Sequence, residues 1–153
     1  MERLTSDEKN NIITKLKSDF NTDEVEFIGS NRFVLRIPYQ VKIETGEFTR
    51  LYKDRLFDKN CEEILLKNEY NGIYGFTYGV APVSIYSEIK IKDEKFSRVK
   101  KFGLIDLDGN ELLPCIYDKM KILPEGLVEI QKDGVEKNPN INEIIDLNFN
   151  WDE

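Results

Sequence analysis

The sequence predicts a mainly β fold: repeated antiparallel hairpins forming a short solenoid-like or curved sheet array, with one N-terminal α-helix as its cap. Two observations carry this. A phrase recurs, Leu56-Phe57-Asp58-Lys59-Asn60-Cys61-Glu62-Glu63-Ile64-Leu65 returning 48 positions later as Leu104-Ile105-Asp106-Leu107-Asp108-Gly109-Asn110-Glu111-Leu112-Leu113. Outside one helical segment near the start, the apolar residues alternate with period two, which puts one face of each segment in a core.

The elements follow in chain order. Thr5 and Glu8 have the spacing of a capping box, and Ile12, Ile13, Leu16 and Phe20 fall on one face at helical period, so residues 6–20 are expected to form an amphipathic helix. It is expected to cover one end of a sheet and shield an open edge. Val25 with Phe27, then Phe33, Leu35 and Ile37, then Val41 with Ile43 read as short strands separated by Gly29-Ser30-Asn31, Pro38 and Thr45-Gly46. In the second copy, residues 102–107 read as a strand, Asp108-Gly109 as a two-residue turn, and 110–113 as the partner strand, with Pro114 ending the pairing. Residues 116–123 lead away, Pro124-Glu125-Gly126 turns, 127–131 returns, and Asp133-Gly134 offers a further turn. Each unit then holds about four short strands whose single apolar face its neighbour covers. Tyr70 and Tyr117, at matching positions, are expected in the core or at its rim, with the hydroxyl reaching a hydrogen-bond partner. Ile145, Leu147, Phe149 and Trp151 alternate with polar residues, which reads as a docked terminal strand over 141–151 or as a mobile tail, docking being favoured.

The spacings place one domain over residues 1–153: a capping helix at 6–20, a degenerate first unit at 25–54, repeat units at 55–101 and 102–135, and the terminal strand at 141–151. Phe33, Val80 and Leu127 recur at 47 positions, as do Tyr70 and Tyr117, and Ile144-Ile145-Asp146 opens a third copy.

Composition bounds the function. Acidic residues outnumber basic ones by 29 to 22, a net charge of −7, which disfavours direct binding to nucleic acid or an anionic membrane and favours a basic partner. No apolar run reaches the roughly 18 residues of a membrane helix, and the amino terminus lacks the apolar core of a secretory signal, so a cytoplasmic location is expected. Lys90, Lys92, Lys95, Arg98, Lys100 and Lys101 stand against Glu88, Asp93 and Glu94, which reads as a solvated hairpin in preference to an anion site.

The chain has no histidine, which removes the commonest general base and every histidine-dependent nucleophile or metal site. Cys61 and Cys115 form no Cys-x-x-Cys pair and read as packed thiols. The alternating carboxylates of 106–111 suggest a calcium loop, but Leu112 and Leu113 stand where ligands should continue, so a hairpin turn is the better reading, with Asp58, Asp106 and Asp146 accepting backbone N–H bonds. The Tyr-x-x-x-Lys spacing at Tyr117 and Lys121 falls in a predicted strand with no glycine-rich nucleotide loop beside it. No catalytic, cofactor or metal residue is nominated.

The string 101–114, Lys-Phe-Gly-Leu-Ile-Asp-Leu-Asp-Gly-Asn-Glu-Leu-Leu-Pro, followed by Ile116-Tyr117-Asp118 and Glu125-Gly126-Leu127-Val128, resembles the WG-repeat family, a bacterial family. Phe102 stands at the namesake tryptophan, Arg55 at the following glycine of the first copy, Cys61 at the turn glycine and Leu66 at the proline of Pro114, which implies a diverged, short array. The resemblance implies a repetitive interaction protein and transfers no catalytic residue.

The favoured function is a non-catalytic protein-binding module, of the kind an acidic immunity or inhibitor protein would be, with Tyr74, Tyr78, Tyr86 and Glu88 as partner contacts. The alternative is a carboxylate-dependent hydrolase or ligand-binding protein with a pocket between units. Function is expected in the unrepeated residues, 38–54 and 84–101.

Overall fold

The computed structural model describes residues 2–42, 46–92 and 95–152, and for 87–98 the backbone alone. Ile43, Thr45, Asp93 and Glu94 lie outside the described residues, as do the side chains of Glu88, Lys90, Lys92, Lys95 and Arg98. The fold is mainly β, built of antiparallel sheets curled into a half-barrel, with one amino-terminal helix.

Helix α1 spans Ser6–Phe20 and opens on the expected capping box: Glu8 N–H donates to Thr5 Oγ1 at 3.1 Å and Thr5 N–H to Glu8 Oε1 at 3.0 Å. It ends at Asn21 in the left-handed region, a residue that tolerates that backbone. Eleven strands follow among the described residues: β1 (Val25–Phe27), β2 (Phe33–Lys42), β3 (Phe48–Phe57), β4 (Glu63–Ile64), β5 (Gly72–Ile73), β6 (Val80–Lys92), β7 (Lys95–Asp106), β8 (Glu111–Tyr117), β9 (Lys119–Ile122), β10 (Val128–Lys132) and β11 (Val135–Lys137). They form three consecutive meanders, β1-β2-β3-β4, β5-β6-β7-β8 and β9-β10-β11, here called sheets 1, 2 and 3.

Successive residues of one strand feed different cores, so the units are buried on both faces, not on one as the alternation suggested. Phe33, Leu35 and Phe57 pack with Leu16 under α1. Val34 and Leu56, on the opposite face, pack with Ala81, Val83 and Ile105 of sheet 2. Val80 and Leu104 then face Val128 and Ile130 of sheet 3. Thus α1 covers a face of sheet 1, where the pattern had suggested an end.

Three further expectations are corrected. Pro38 does not divide two strands; it lies inside β2 and pairs with Tyr52. The reason is directional. Arg36 N–H, two residues earlier, donates to Glu24 O at 2.9 Å, so the nitrogen of Pro38 faces the same side beyond the start of β1, where no ladder bond is required. Pro114 likewise lies inside β8, where the pairing with β7 shifts register between Phe102 and Leu104 and absorbs it. The segment 141–151 is not a strand: helix α2 (Ile141–Ile145) is capped by Asn140, whose side chain accepts Asn142 N–H at 2.8 Å. Ile141 and Ile144 are buried, Phe149 and Trp151 pack on the same core, and Leu147 is exposed. The tail docks, then, as a helix and turn.

The repeated turn is a four-residue loop rather than Asp108-Gly109 alone. Asp106 N–H donates to Asn110 O at 3.0 Å and Gly109 N–H to Asp106 O at 3.1 Å, while Asp106 Oδ1 accepts Asp108 and Asn110 N–H at 3.0 and 2.9 Å. The first copy repeats all four bonds: Asp58 N–H to Glu62 O, Cys61 N–H to Asp58 O, and Asn60 and Glu62 N–H to Asp58 Oδ1. Cys61, at φ 61°, takes the left-handed position that Gly109 fills at 81°. Asp146 makes no such turn; it is the C-cap of α2. Asp133-Gly134 is the expected two-residue hairpin turn, with positive φ at both residues.

The glycine of the second copy has a steric cause. A Cβ on Gly103 would lie 2.6 Å from Leu113 O, because β8 runs against it. In the first copy β4 ends at Ile64, and Arg55 occupies the position, bonded to Glu63 at 2.6 Å.

Candidate functional site

Adjacent sheets meet at two seams built from equivalent residues. At the first, Asp54 N–H donates to Tyr70 O and Asn71 N–H to Ser84 O, at 2.9 and 2.8 Å. At the second, Tyr117 pairs with Phe102, and Asp118 N–H donates to Gln131 O at 2.8 Å. The polar residue after each tyrosine clamps the next hairpin. Asn71 Oδ1 accepts Tyr86 N–H at 2.9 Å, and Asp118 Oδ2 accepts Asp133 N–H at 2.9 Å. Asn71 also donates to Tyr52 O and Tyr39 Oη, and Asp118 binds the Lys101 ammonium. Tyr70 is fully buried and donates its hydroxyl to Glu111 at 2.8 Å; Tyr117 packs its ring on Trp151. These repeated residues hold sheets together.

The seams differ first at the equivalent pair Asp54 and Phe102, 48 positions apart. The side chain of Asp54 is fully buried; it accepts Arg36 Nε at 3.1 Å and Ile73 N–H at 2.9 Å. That bond holds the Arg36 guanidinium above its ordinary pKa. The first seam then closes on backbone: Phe76 N–H donates to Ile28 O at 2.7 Å, and a Cβ on Gly29 would lie 2.9 Å from Phe76 O. At the second seam Phe102 supplies no acceptor, and Ile122 stands 47 positions after Gly75. The seam stays open as a groove of about 480 Å³, lined by Tyr74, Gly75, Thr77, Pro82, Phe102, Met120, Lys121 and Ile122.

One of the nominated contact residues, Tyr74, lines this groove. Tyr74 is 38% exposed, with its ring centroid 6.0 Å from that of Phe102 and its hydroxyl 3.1 Å from Ser84 Oγ. Tyr78 is 56% exposed, has positive φ beside Gly79, and donates its hydroxyl to Pro124 O. Tyr86 lies further along β6, half-buried, with the Lys100 ammonium 5.7 Å from its ring centroid. Glu88 lies where only backbone is described. The sequence reading missed Phe102, Met120 and Ile122, which belong to the repeat and were assigned to scaffold. The signal was the exchange of Asp54 for Phe102 and of Gly75 for Ile122 between copies.

The carboxylates of the space between Ile37 and Glu69 are occupied: Asp54 by Arg36, Glu63 by Arg55, and Glu69 by Lys53 at 2.8 Å. Glu129 and Glu136 interact across β10 and β11, which holds Glu129 below and Glu136 above the ordinary carboxylate value. Lys119 binds Glu129 at 3.0 Å. Burial, with the nearby Glu111, pushes the Cys115 thiol up to about 12, and burial also raises Cys61. No helix among the described residues is long and apolar enough to cross a membrane.

Residues 102–135 match the family model described as WG containing repeat. No curated protein and no solved structure matches the chain. The matched stretch begins at Phe102 and Gly103, runs through the Asp106 turn and the Tyr117-Asp118 clamp, and ends at the Asp133-Gly134 turn. By that match the chain carries a WG containing repeat, and this repeat supplies one whole wall of the open seam.

Proposed function

We propose that the chain is a non-catalytic protein-binding module whose contact surface is the open seam between sheets 2 and 3. The observation that supports this reading is the groove itself: it is apolar, the partly exposed ring of Tyr74 lines it, and no carboxylate is among its described lining residues. Partly exposed tyrosines beside an apolar recess provide large contact area at low entropic cost, which is how protein interfaces are anchored. A carboxylate-dependent reaction would need two facing acids in a cleft, whereas Asp54, Glu63 and Glu69 are each bound to a cation. A net charge of −7 suits an immunity or inhibitor role, in which the module is steered at long range toward an oppositely charged protein.

The test is affinity capture from the source cells with the tagged chain and with a Tyr74→Ala, Tyr78→Ala double variant. The expected result is a partner retained by the wild type and reduced at least about tenfold by the variant, with the thermal midpoints of the two chains similar. A partner held equally by both would move the contact surface away from the seam.

A further inference from the structure

The polar residue that clamps the first seam is also a chemically labile one. Asn71 is followed by Gly72, the one Asn-Gly pair in the chain. Asparagine is a thermolabile side chain, and a following glycine makes it most so, because the unhindered main-chain nitrogen can close a five-membered ring on the side-chain carbon. Packing favours the glycine. A Cβ on Gly72 would lie 2.8 Å from Ser84 Oγ and 3.0 Å from Tyr74 Oη, where β5 runs against β6, so the contact that closes the seam also sets the labile pair in place.

The native seam opposes that ring closure at the side chain and at the backbone. Asn71 Oδ1 accepts Tyr86 N–H at 2.9 Å, while Nδ2 donates to Tyr52 O at 2.9 Å and to Tyr39 Oη at 3.0 Å, and these bonds hold Cγ away from the Gly72 nitrogen. The backbone is fastened too. Asn71 N–H donates to Ser84 O and Tyr74 N–H to Pro82 O, at 2.8 and 2.9 Å, and Gly72 between them is buried, away from the hydroxide that must take its proton. The second seam has no such pair: Asp118, the counterpart of Asn71, is already a carboxylate, and Lys101 supplies its cation. Lys53 stands 48 positions before Lys101, but its ammonium binds Glu69 at 2.8 Å. A carboxylate at position 71 would set two acceptors face to face at Tyr52 O.

We propose that Asn71-Gly72 is a deamidation site held off by the hydrogen bonds of the first seam, and that its conversion loosens that seam irreversibly. In an opened seam the Gly72 nitrogen loses its proton to hydroxide and attacks Asn71 Cγ; the N–Cγ bond forms, the Cγ–Nδ2 bond breaks, and ammonia leaves with a proton from water. Water then opens the cyclic imide at one of its two carbonyls and leaves aspartate or iso-aspartate, with no change of oxidation state. Aspartate removes both donations of Nδ2. Iso-aspartate also adds a methylene to the main chain between Tyr70 O and Ile73 N–H, the two points bound by Asp54. The rate of conversion therefore follows how often the seam opens. The closed seam carries this site whatever the open one binds.

The test follows the fraction of Asn71 converted, by peptide mass mapping of the full chain aged in mildly alkaline buffer, both folded and in urea. The folded chain is expected to convert at least about tenfold more slowly than the unfolded one. Tyr39→Phe, which removes one acceptor of Nδ2 and keeps the ring, is expected to speed conversion of the folded chain severalfold and to change nothing in urea. Asp118→Asn alters the matching clamp of the second seam without touching Asn71, and it serves as the control for stability alone. Chain aged to full conversion is expected to exchange the amide hydrogens of Ile73 and Tyr86 faster than fresh chain. Equal conversion of folded and unfolded chain, no acceleration by Tyr39→Phe beyond that of Asp118→Asn, or unchanged exchange at Ile73 and Tyr86 after conversion would each overturn the proposal.

Discussion

The two seams of this chain are made of equivalent residues and reach opposite outcomes. The first is a closed joint, in which a buried carboxylate takes one outward N–H and a cation, and glycine lets the backbones touch. The second keeps the tyrosine and the polar clamp but replaces Asp54 by Phe102, and it opens into a groove. The difference teaches that in a repeat array a surface recess need not come from inserted loops. It can come from a unit joint left incomplete where Phe102 replaces Asp54 and Ile122 replaces Gly75.

The contrast can be broken most severely at Asp54. Asp54→Phe, which gives the first seam the residue of the second, strands Arg36 and the Ile73 N–H; unfolding in urea is expected to show a loss of about 3 kcal/mol, with Asp54→Asn less costly. If Asp54→Phe were as stable as the wild type, the carboxylate would not be what closes the joint. A smaller effect separates the two tyrosines. Tyr70→Phe removes the hydroxyl bond to Glu111 and is expected to cost about 1 kcal/mol, whereas Tyr117→Phe keeps the ring packing on Trp151 and should cost less. The smallest effect concerns acid. The Lys101 hydrogen bond and the Asp133 N–H hold the Asp118 carboxyl below its ordinary value of 3.8. A carboxyl depressed in the folded state adds stability above its unfolded pKa and loses it as pH falls through the lower folded value, so the window lies below about pH 4. Asn71, its counterpart at the first seam, carries no charge. The stability difference between wild type and Asp118→Asn is therefore expected to shrink as thermal melts are moved from about pH 5 to about pH 2.

Much of the scaffold was legible because its causes are local. The capping box of Thr5 and Glu8, the period-two strands and the Asp58 and Asp106 turns all depend on residues within a few positions of one another. What escaped depends on direction or distance. Pro38 and Pro114 read as breakers, since nothing in the sequence says which side a nitrogen faces or where a bulge falls. The alternation after Ile144 suits a strand, but the Asn140 cap and the core around Val128 and Ile130 make it a short helix with a docked turn. Of the groove's lining, Tyr74 was legible as a candidate contact tyrosine, although it lies outside the unrepeated stretches 38–54 and 84–101 where function was expected. Phe102, Met120 and Ile122 were hidden because they belong to the repeat and gather from separate strands.

Burial on both faces has a consequence for strand register. In a sheet with one wet face, slipping a strand by one residue throws its apolar side chains into water, and that penalty holds the alignment. Here a slipped Phe33-Val34-Leu35 would exchange one dry core for another, so hydrophobicity is a weak guard against misalignment. The alignment must instead be kept at the hairpin ends, where Asp58 and Asp106 each fasten two N–H groups at fixed offsets. In such an array the conspicuous acidic residue acts as a counting device, setting how many residues lie between one strand and the next.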